Sequence, residues 1–103
     1  MIDIVYDKRV PSVTVRGHAE SAPEGQDTVC AAISALTYTL AADVCRLGCE
    51  NLVRLQKGDA VISCTPPPAL RSVADYLFES ICVGFEIISR DYPKNVRYEI
   101  VKG

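Results

Sequence analysis

The sequence predicts an α+β fold with the element order ββαββαβ, a mostly antiparallel sheet packed with two helices. Five short stretches alternate apolar and polar residues, which is typical of half-buried strands. Two longer stretches repeat apolar residues at steps of three and four, which is typical of helices. Consecutive strands are separated by short turns, and hairpins of this kind indicate antiparallel pairing. A length of 103 residues predicts a single domain, residues 1–103.

The chain begins with two predicted strands. Residues 2–7 alternate, with Ile2 and Ile4 on one side of the strand. Residues 10–18 form a second extended stretch in which Pro11 removes one backbone donor, so this segment should enter the sheet at an edge or at a strand start. We expect the two strands to form a hairpin.

A loop and a long helix follow. Residues 19–26 contain Pro23 and Gly25 and almost nothing to bury, which indicates a loop. Asp27 is a suitable N-cap for a helix that reaches about Leu47. We expect a neighbouring helix or a second subunit to cover this helix, because small residues flank its apolar stripe. The stripe consists of Val29, Ile33, Leu36, Leu40, Val44 and Leu47.

The second half of the chain repeats the order of two strands and a helix, and it adds a fifth strand. Residues 50–57 and 60–64 read as strands joined by a turn at Gly58-Asp59. After three prolines, a second helix is predicted over residues 69–89, and a last strand alternates near residues 96–100. The stripe of the second helix consists of Leu70, Val73, Leu77, Ile81, Phe85 and Ile88.

Composition excludes several classes of function. Apolar residues make up 49% and charged residues 23%, a globular balance. The net charge of −2 is spread without a basic run, so we expect no direct nucleic-acid partner. We find neither a secretory signal nor an apolar run near the ~18 residues that a membrane span needs, so we expect no membrane partner. Five cysteines, an odd number, indicate reduced thiols and a cytoplasmic protein.

His18 and Cys30 are the residues best suited to chemistry. Eleven residues separate them, and with Asp27 as N-cap the cysteine would be the third helical residue. Unpaired N–H groups and the positive end of the helix dipole would then favour its thiolate and could bind an oxyanion. The only histidine of the chain, at the end of the second strand, could reach the thiol as its base.

The residues alone leave a structural alternative open. A lone histidine at a strand end is usually structural, and a cysteine in an apolar helix is usually a small core residue. The charge of Asp27 so near Cys30 would also oppose formation of the thiolate. Cys45 and Cys49, four positions apart on one helix face, could hold a metal, but no second ligand pair is nearby and we expect buried thiols. We therefore expect no metal and no cofactor.

A resemblance to a known family favours the catalytic interpretation. Gly17-His18-Ala19, then the run from Gly25 to Ala32, then Ser34 resemble the signature of the ribosomal-processing cysteine protease family, Prp. The resemblance implies that His18 is the general base and Cys30 the nucleophile, and that Asp27 and Ser34 support the site. It also suggests that residues 19–26, with Ala19, Pro23 and Gly25, act as a lid over the bound peptide.

The resemblance further implies a substrate and an assembly. Members of the family trim a short N-terminal extension from a large-subunit ribosomal protein, the twenty-seventh, next to a Phe-rich stretch, and they are homodimers. Two other functions stay open at this point. One is a non-catalytic ribosome-associated module that binds the same tail, and the other is a thiol redox sensor that uses Cys30.

Overall fold

The computed structural model describes residues 1–17 and 24–103, and only the backbone of residues 24–27. The predicted order ββαββαβ is confirmed. A short 3₁₀ turn, Pro68–Leu70, precedes the second helix. The elements are β1 (Ile2–Asp7), β2 (Ser12–Arg16), α1 (Glu24–Leu47), β3 (Glu50–Gln56), β4 (Asp59–Thr65), α2 (Arg71–Asp91) and β5 (Val96–Val101).

The strands form one sheet in the order β3-β4-β2-β1-β5. The predicted hairpins β1–β2 and β3–β4 are both present and antiparallel, and β2 also pairs antiparallel with β4. Only β5 runs parallel to its neighbour, with Val96 beside Ile2 and Tyr98 beside Ile4. The sheet is therefore mostly antiparallel, as predicted.

Both helices cover the same face of the sheet. Alternate residues of β1, β2 and β4 are buried, and they form a single core cluster with the inner faces of α1 and α2. At its centre the ring of Tyr6 stacks on that of Phe78, with centroids 6.0 Å apart. The sheet is the rigid platform on which α1 is held.

The beginning of α1 differs from the prediction. The helix starts at Glu24, so Asp27 is not its N-cap, and Gly25 lies in the first turn rather than in a loop. Both of these predictions were wrong. The physical reason is that Glu and Asp are favoured in the first turn of a helix and Gln is a good helix former, so the sequence from Glu24 onwards is compatible with a helix.

The buried face of α2 is also shifted. Its buried residues are Ala74, Phe78, Cys82 and Phe85, whereas Val73 of the predicted stripe is 46% exposed. Two adjacent stripes of α2 satisfy helical spacing, and the bulk of Phe78 against the sheet decides which one faces inward.

The two helices pack closely against each other. A Cβ atom built on Gly84 of α2 would lie 2.8 Å from the Leu36 Cδ1 atom of α1. The neighbouring helix predicted for α1 is thus α2.

By length and composition alone, the segment Thr28–Leu47 of α1 is long and apolar enough to cross a membrane, which we did not expect from the sequence. In this fold its inner face is core, with Leu40 and Val44 fully buried.

Candidate active site

Cys30 lies at the edge of the buried face of α1, near the beginning of that helix. It is the seventh helical residue rather than the third, because α1 begins at Glu24. Val29 and Ile33 beside it are 2% and 4% exposed and anchor this part of the helix on the sheet. Cys30 itself is half-buried against the core. Its thiol is therefore carried by a rigid element and still reaches the surface.

Because α1 is longer than predicted, the free backbone N–H groups at its start are not next to Cys30. The unpaired N–H groups of an α-helix belong to its first four residues, here 24–27. The N–H of Cys30 lies one turn further on, inside the i→i−4 hydrogen-bond ladder. The prediction that Cys30 lies in the first turn was wrong, and the dipole acts on it less strongly because that effect fades within the first turn.

Ser34 lies on the same flank of α1 as Cys30. Residues four positions apart are neighbours on a helix surface, and Ser34 is exposed. Asp27 is three positions before Cys30 in the helix, and its side chain lies outside the described residues. His18, Ala19 and Pro23 lie outside the described residues altogether.

The residue before His18 is firmly held. Gly17 has φ +94°, and a Cβ atom at this position would collide with the backbone carbonyl oxygen of Met1. Its N–H donates a hydrogen bond of 3.0 Å to the carbonyl oxygen of Gly58 in the β3–β4 turn. Only glycine fits this backbone conformation and space, so the chain leaves β2 towards His18 from a defined point.

A cluster of charges reinforces this end of the sheet. The Asp59 carboxylate accepts from the Arg16 Nε atom at 3.3 Å and from the Arg54 Nη2 atom at 3.0 Å. Arg16 is the last residue of β2 and pairs directly with Asp59 of β4. Sequence reasoning missed this cluster, because it depends on the register between strands distant in sequence.

Topology brings Cys30 and Gly17 to the same end of the molecule. The C-terminus of α1 leads into Glu50, at the start of β3, while the end of β3 lies beside Asp59 and therefore beside the end of β2. The beginning of α1 is thus at the β2 end. Six residues join Gly17 to α1, so Gly17 and Glu24 are at most about 25 Å apart.

The remaining cysteines fall into two groups. Cys64 and Cys82 are buried, and burial raises the pKa of Cys64 to about 12 and that of Cys82 to about 11. These thiols hold their protons near neutral pH and are poor nucleophiles. Cys45 is exposed on α1 and Cys49 is half-buried.

The predicted pairing of Cys45 and Cys49 on one helix face was wrong. The helix ends at Leu47, and Gly48, at φ +77°, turns the chain away. Cys49 instead contacts Cys64, with their Sγ atoms 3.1 Å apart. Within residues 1–17 and 28–103, no three potential ligand side chains come together as a metal would require.

A small cavity lies at the other end of the sheet. It measures about 140 Å³ and is lined by Tyr6, Lys8, Cys82 and Tyr98, among others. Tyr6 lies in β1 near the end that is remote from Gly17, and Lys8 follows that end. This cavity is therefore separate from Cys30.

Comparison with known proteins decides the family. The model of the family described as Cysteine protease Prp matches residues 1–97. The chain belongs to the Prp family of cysteine proteases. The ribosomal processing cysteine protease Prp of Bacillus subtilis (strain 168) is 33% identical over 97 residues, which cover 89% of this chain and 87% of that protein.

Solved structures share the fold of this Prp family member. SMU.848 from Streptococcus mutans superposes with a TM-score of 0.76 at 25% identity, over 99% of this chain and 93% of that one. The ribosomal processing protease Prp from S. aureus, in complex with a covalently linked product peptide, gives a TM-score of 0.78 at 20% identity, over 97% and 99% of the two chains. The same S. aureus protease with a substrate peptide gives 0.75, also at 20% identity, over 96% of each chain.

The family settles the class of reaction. This chain is a cysteine protease of the ribosomal-processing type. The fold predicted from the sequence, a mostly antiparallel sheet with two helices, is also that of the S. aureus protease.

Proposed function

We propose that Cys30 is the nucleophile and His18 the general base of this protease, within one catalytic domain. The observation that carries the proposal is the position of Cys30, half-buried on a rigid part of α1 at the end of the sheet where Gly17 leads into His18. Cys64 and Cys82 are unsuited to the role because burial keeps their thiols protonated. Cys45 and Cys49 lie near the opposite end of α1.

The reaction would proceed by acyl transfer. His18 takes the proton of the Cys30 thiol, and the sulfur attacks the carbonyl carbon of the scissile bond. The resulting tetrahedral intermediate collapses to a thioester as His18 returns the proton to the leaving amine. Water, activated by the same imidazole, then hydrolyses the thioester and frees the thiol. Ser34 and Asp27 occupy positions one turn either side of Cys30, from which they would support the nucleophile.

The proposed substrate is the N-terminal extension of the twenty-seventh large-subunit ribosomal protein, cut next to a Phe-rich stretch. The family resemblance supports this choice, and the S. aureus relative binds a substrate peptide. Because the substrate would be a ribosomal protein and the cysteines of this chain are free thiols, we place the reaction in the cytoplasm.

A cleavage assay tests both the reaction and the substrate. The wild-type chain is incubated with a peptide that spans the N-terminal extension of the ribosomal protein, and the masses of the products are measured by mass spectrometry. We expect one cut beside the phenylalanines, a large loss of rate when they are replaced by alanine, and no cut by Cys30→Ala. Intact peptide that still binds would instead favour a non-catalytic module, and intact peptide that does not bind would contradict the substrate.

We also propose that the protease is a homodimer formed through its helices. The outer face of α2 exposes Val73, Tyr76, Val83 and Ile87, at helical spacing on one side. A second copy that covered this apolar face would remove it from water. We expect Val83→Glu to give a monomer in sedimentation, whereas Leu52→Glu, at an exposed position on the face of the sheet away from the helices, should leave the dimer intact. A wild-type monomer would contradict the proposal.

A further inference from the structure

Cys49 and Cys64 are the closest pair of thiols in the part of the chain that the structure describes. Their Sγ atoms are 3.1 Å apart, although the residues are 15 positions apart in sequence. Cys49 lies in the turn between α1 and β3, and Cys64 lies in β4. A disulfide bond has an S–S length of about 2.05 Å, so a movement of roughly 1 Å would join them.

We infer that Cys49 and Cys64 form an oxidative modification site, which closes to an intramolecular disulfide when the protein meets a hydroperoxide. The two thiols differ in access in the way that such a reaction needs. Cys49 is half-buried and can meet the oxidant, whereas Cys64 is fully buried. Cys49 would therefore react first and Cys64 would resolve the product.

The reaction balances with one hydroperoxide. The Cys49 sulfur attacks the peroxide, the O–O bond breaks, and Cys49 becomes a sulfenic acid as one water is released. The Cys64 sulfur then attacks the Cys49 sulfur, the S–S bond forms, and the sulfenic hydroxyl leaves as a second water with the Cys64 proton. Two thiols lose two electrons, and hydrogen peroxide is reduced to two molecules of water.

The surroundings of Cys64 hold it in place for the second step. Its backbone N–H donates to the carbonyl oxygen of Pro11 at 3.2 Å. Burial lowers the nucleophilicity of its thiol, and the 3.1 Å contact between the two Sγ atoms offsets this loss because the attacking sulfur is already in place. The pair lies beyond the C-terminus of α1, about 26 Å along the helix from Cys30. The disulfide is therefore remote from the proposed nucleophile and independent of its chemistry.

Tryptic mapping of the wild-type chain tests the inference. Cleavage after Arg46 and Arg54 isolates Cys49 in residues 47–54, and cleavage after Lys57 and Arg71 isolates Cys64 in residues 58–71. Cys30 and Cys45 share residues 17–46, and Cys82 lies in residues 72–90. After treatment with hydrogen peroxide and blocking of free thiols, we expect the first two peptides to be joined and to separate on reduction.

Variants and stability complete the test. Cys49→Ala and Cys64→Ala should each abolish the joined peptide, whereas Cys45→Ala, four positions before Cys49, should leave it unchanged. Closing a loop of this length should raise the melting temperature of the oxidised wild type by an amount of the order of 10 °C. Oxidation of Cys49 without a joined peptide, or a bond from Cys49 to any other cysteine, would overturn the inference.

Discussion

The N–H of Gly17 donates to the carbonyl oxygen of Gly58 at 3.0 Å, which ties the end of β2 to the β3–β4 turn. This bond lies one residue before His18 in the chain. Together with the close approach of the Met1 carbonyl, this hydrogen bond fixes the position of the Gly17 backbone, directly before the proposed base. The position of a catalytic histidine would thus depend on a glycine that carries no chemistry itself.

Gly17→Ala should lower both stability and activity. The new Cβ atom would collide with the Met1 carbonyl oxygen, and φ at +94° strains any other residue, which together should cost about 1–3 kcal/mol or more. We expect a lower free energy of unfolding and a slower cleavage rate for the protein that remains folded.

Gly48→Ala is the matched control for this substitution. Gly48 has a similar φ of +77°, but the nearest atom to its Cβ position is the Arg46 oxygen at 4.0 Å. Gly48→Ala should therefore lower the free energy of unfolding only by the conformational strain, about 1–2 kcal/mol. It should leave the cleavage rate of the folded protein unchanged. Equal effects of the two substitutions on the rate would contradict a special role for Gly17.

Phe78→Ala should severely destabilise the fold. Phe78 is fully buried and stacks on Tyr6, so its loss leaves a cavity at the centre of the core. Such truncations cost about 3–5 kcal/mol. Urea denaturation measures the loss, and Ser80→Ala, at an exposed position of the same helix, should change stability by less than about 0.5 kcal/mol. A mild effect of Phe78→Ala would show that the core is not built around this pair.

Stability should fall as the pH rises above about 8. Burial raises the pKa of Cys82 to about 11, while an exposed thiol titrates near 8.5, so the unfolded chain releases this proton first. The stabilisation is complete below about pH 8 and is lost as the pH rises towards 11. By about pH 9.5, ionisation of the Cys82 thiol in the unfolded chain should have lowered the free energy of unfolding by roughly 1 kcal/mol.

Urea denaturation at a series of pH values measures this loss. Cys82→Ala should flatten the decline, because its titrating group is gone, whereas Cys45→Ala removes an exposed thiol and should leave the slope as it is. An unchanged slope in Cys82→Ala would mean that the thiol does not titrate differently in the folded and unfolded chain.

The sequence predicted the fold well because its patterns are local. Alternation found all five strands, and helical spacing found both helices with the inner stripe of α1. Where two choices satisfied the same period, as on α2, sequence could not decide whether Val73 or Phe78 faces the core. That choice depends on which stripe fills the space above Tyr6.

The site was predicted less completely, because its geometry depends on contacts between distant segments. The signature residues nominated Cys30, yet the N-cap rule placed the start of α1 four residues too late. The approach of Met1 to Gly17, and that of Cys49 to Cys64, follow from chain packing that no spacing in the sequence reveals.

The most direct test is to identify the residue that carries the acyl group during cleavage. The protease is mixed with its peptide substrate, quenched in acid, digested and examined by mass spectrometry, with Cys45→Ala as a control because Cys30 and Cys45 share one tryptic peptide. We expect a thioester on residues 17–46 in the wild type and in Cys45→Ala, and none in Cys30→Ala, which should be folded and inactive. An acyl group on another peptide, or full activity of folded Cys30→Ala, would contradict Cys30 as the nucleophile.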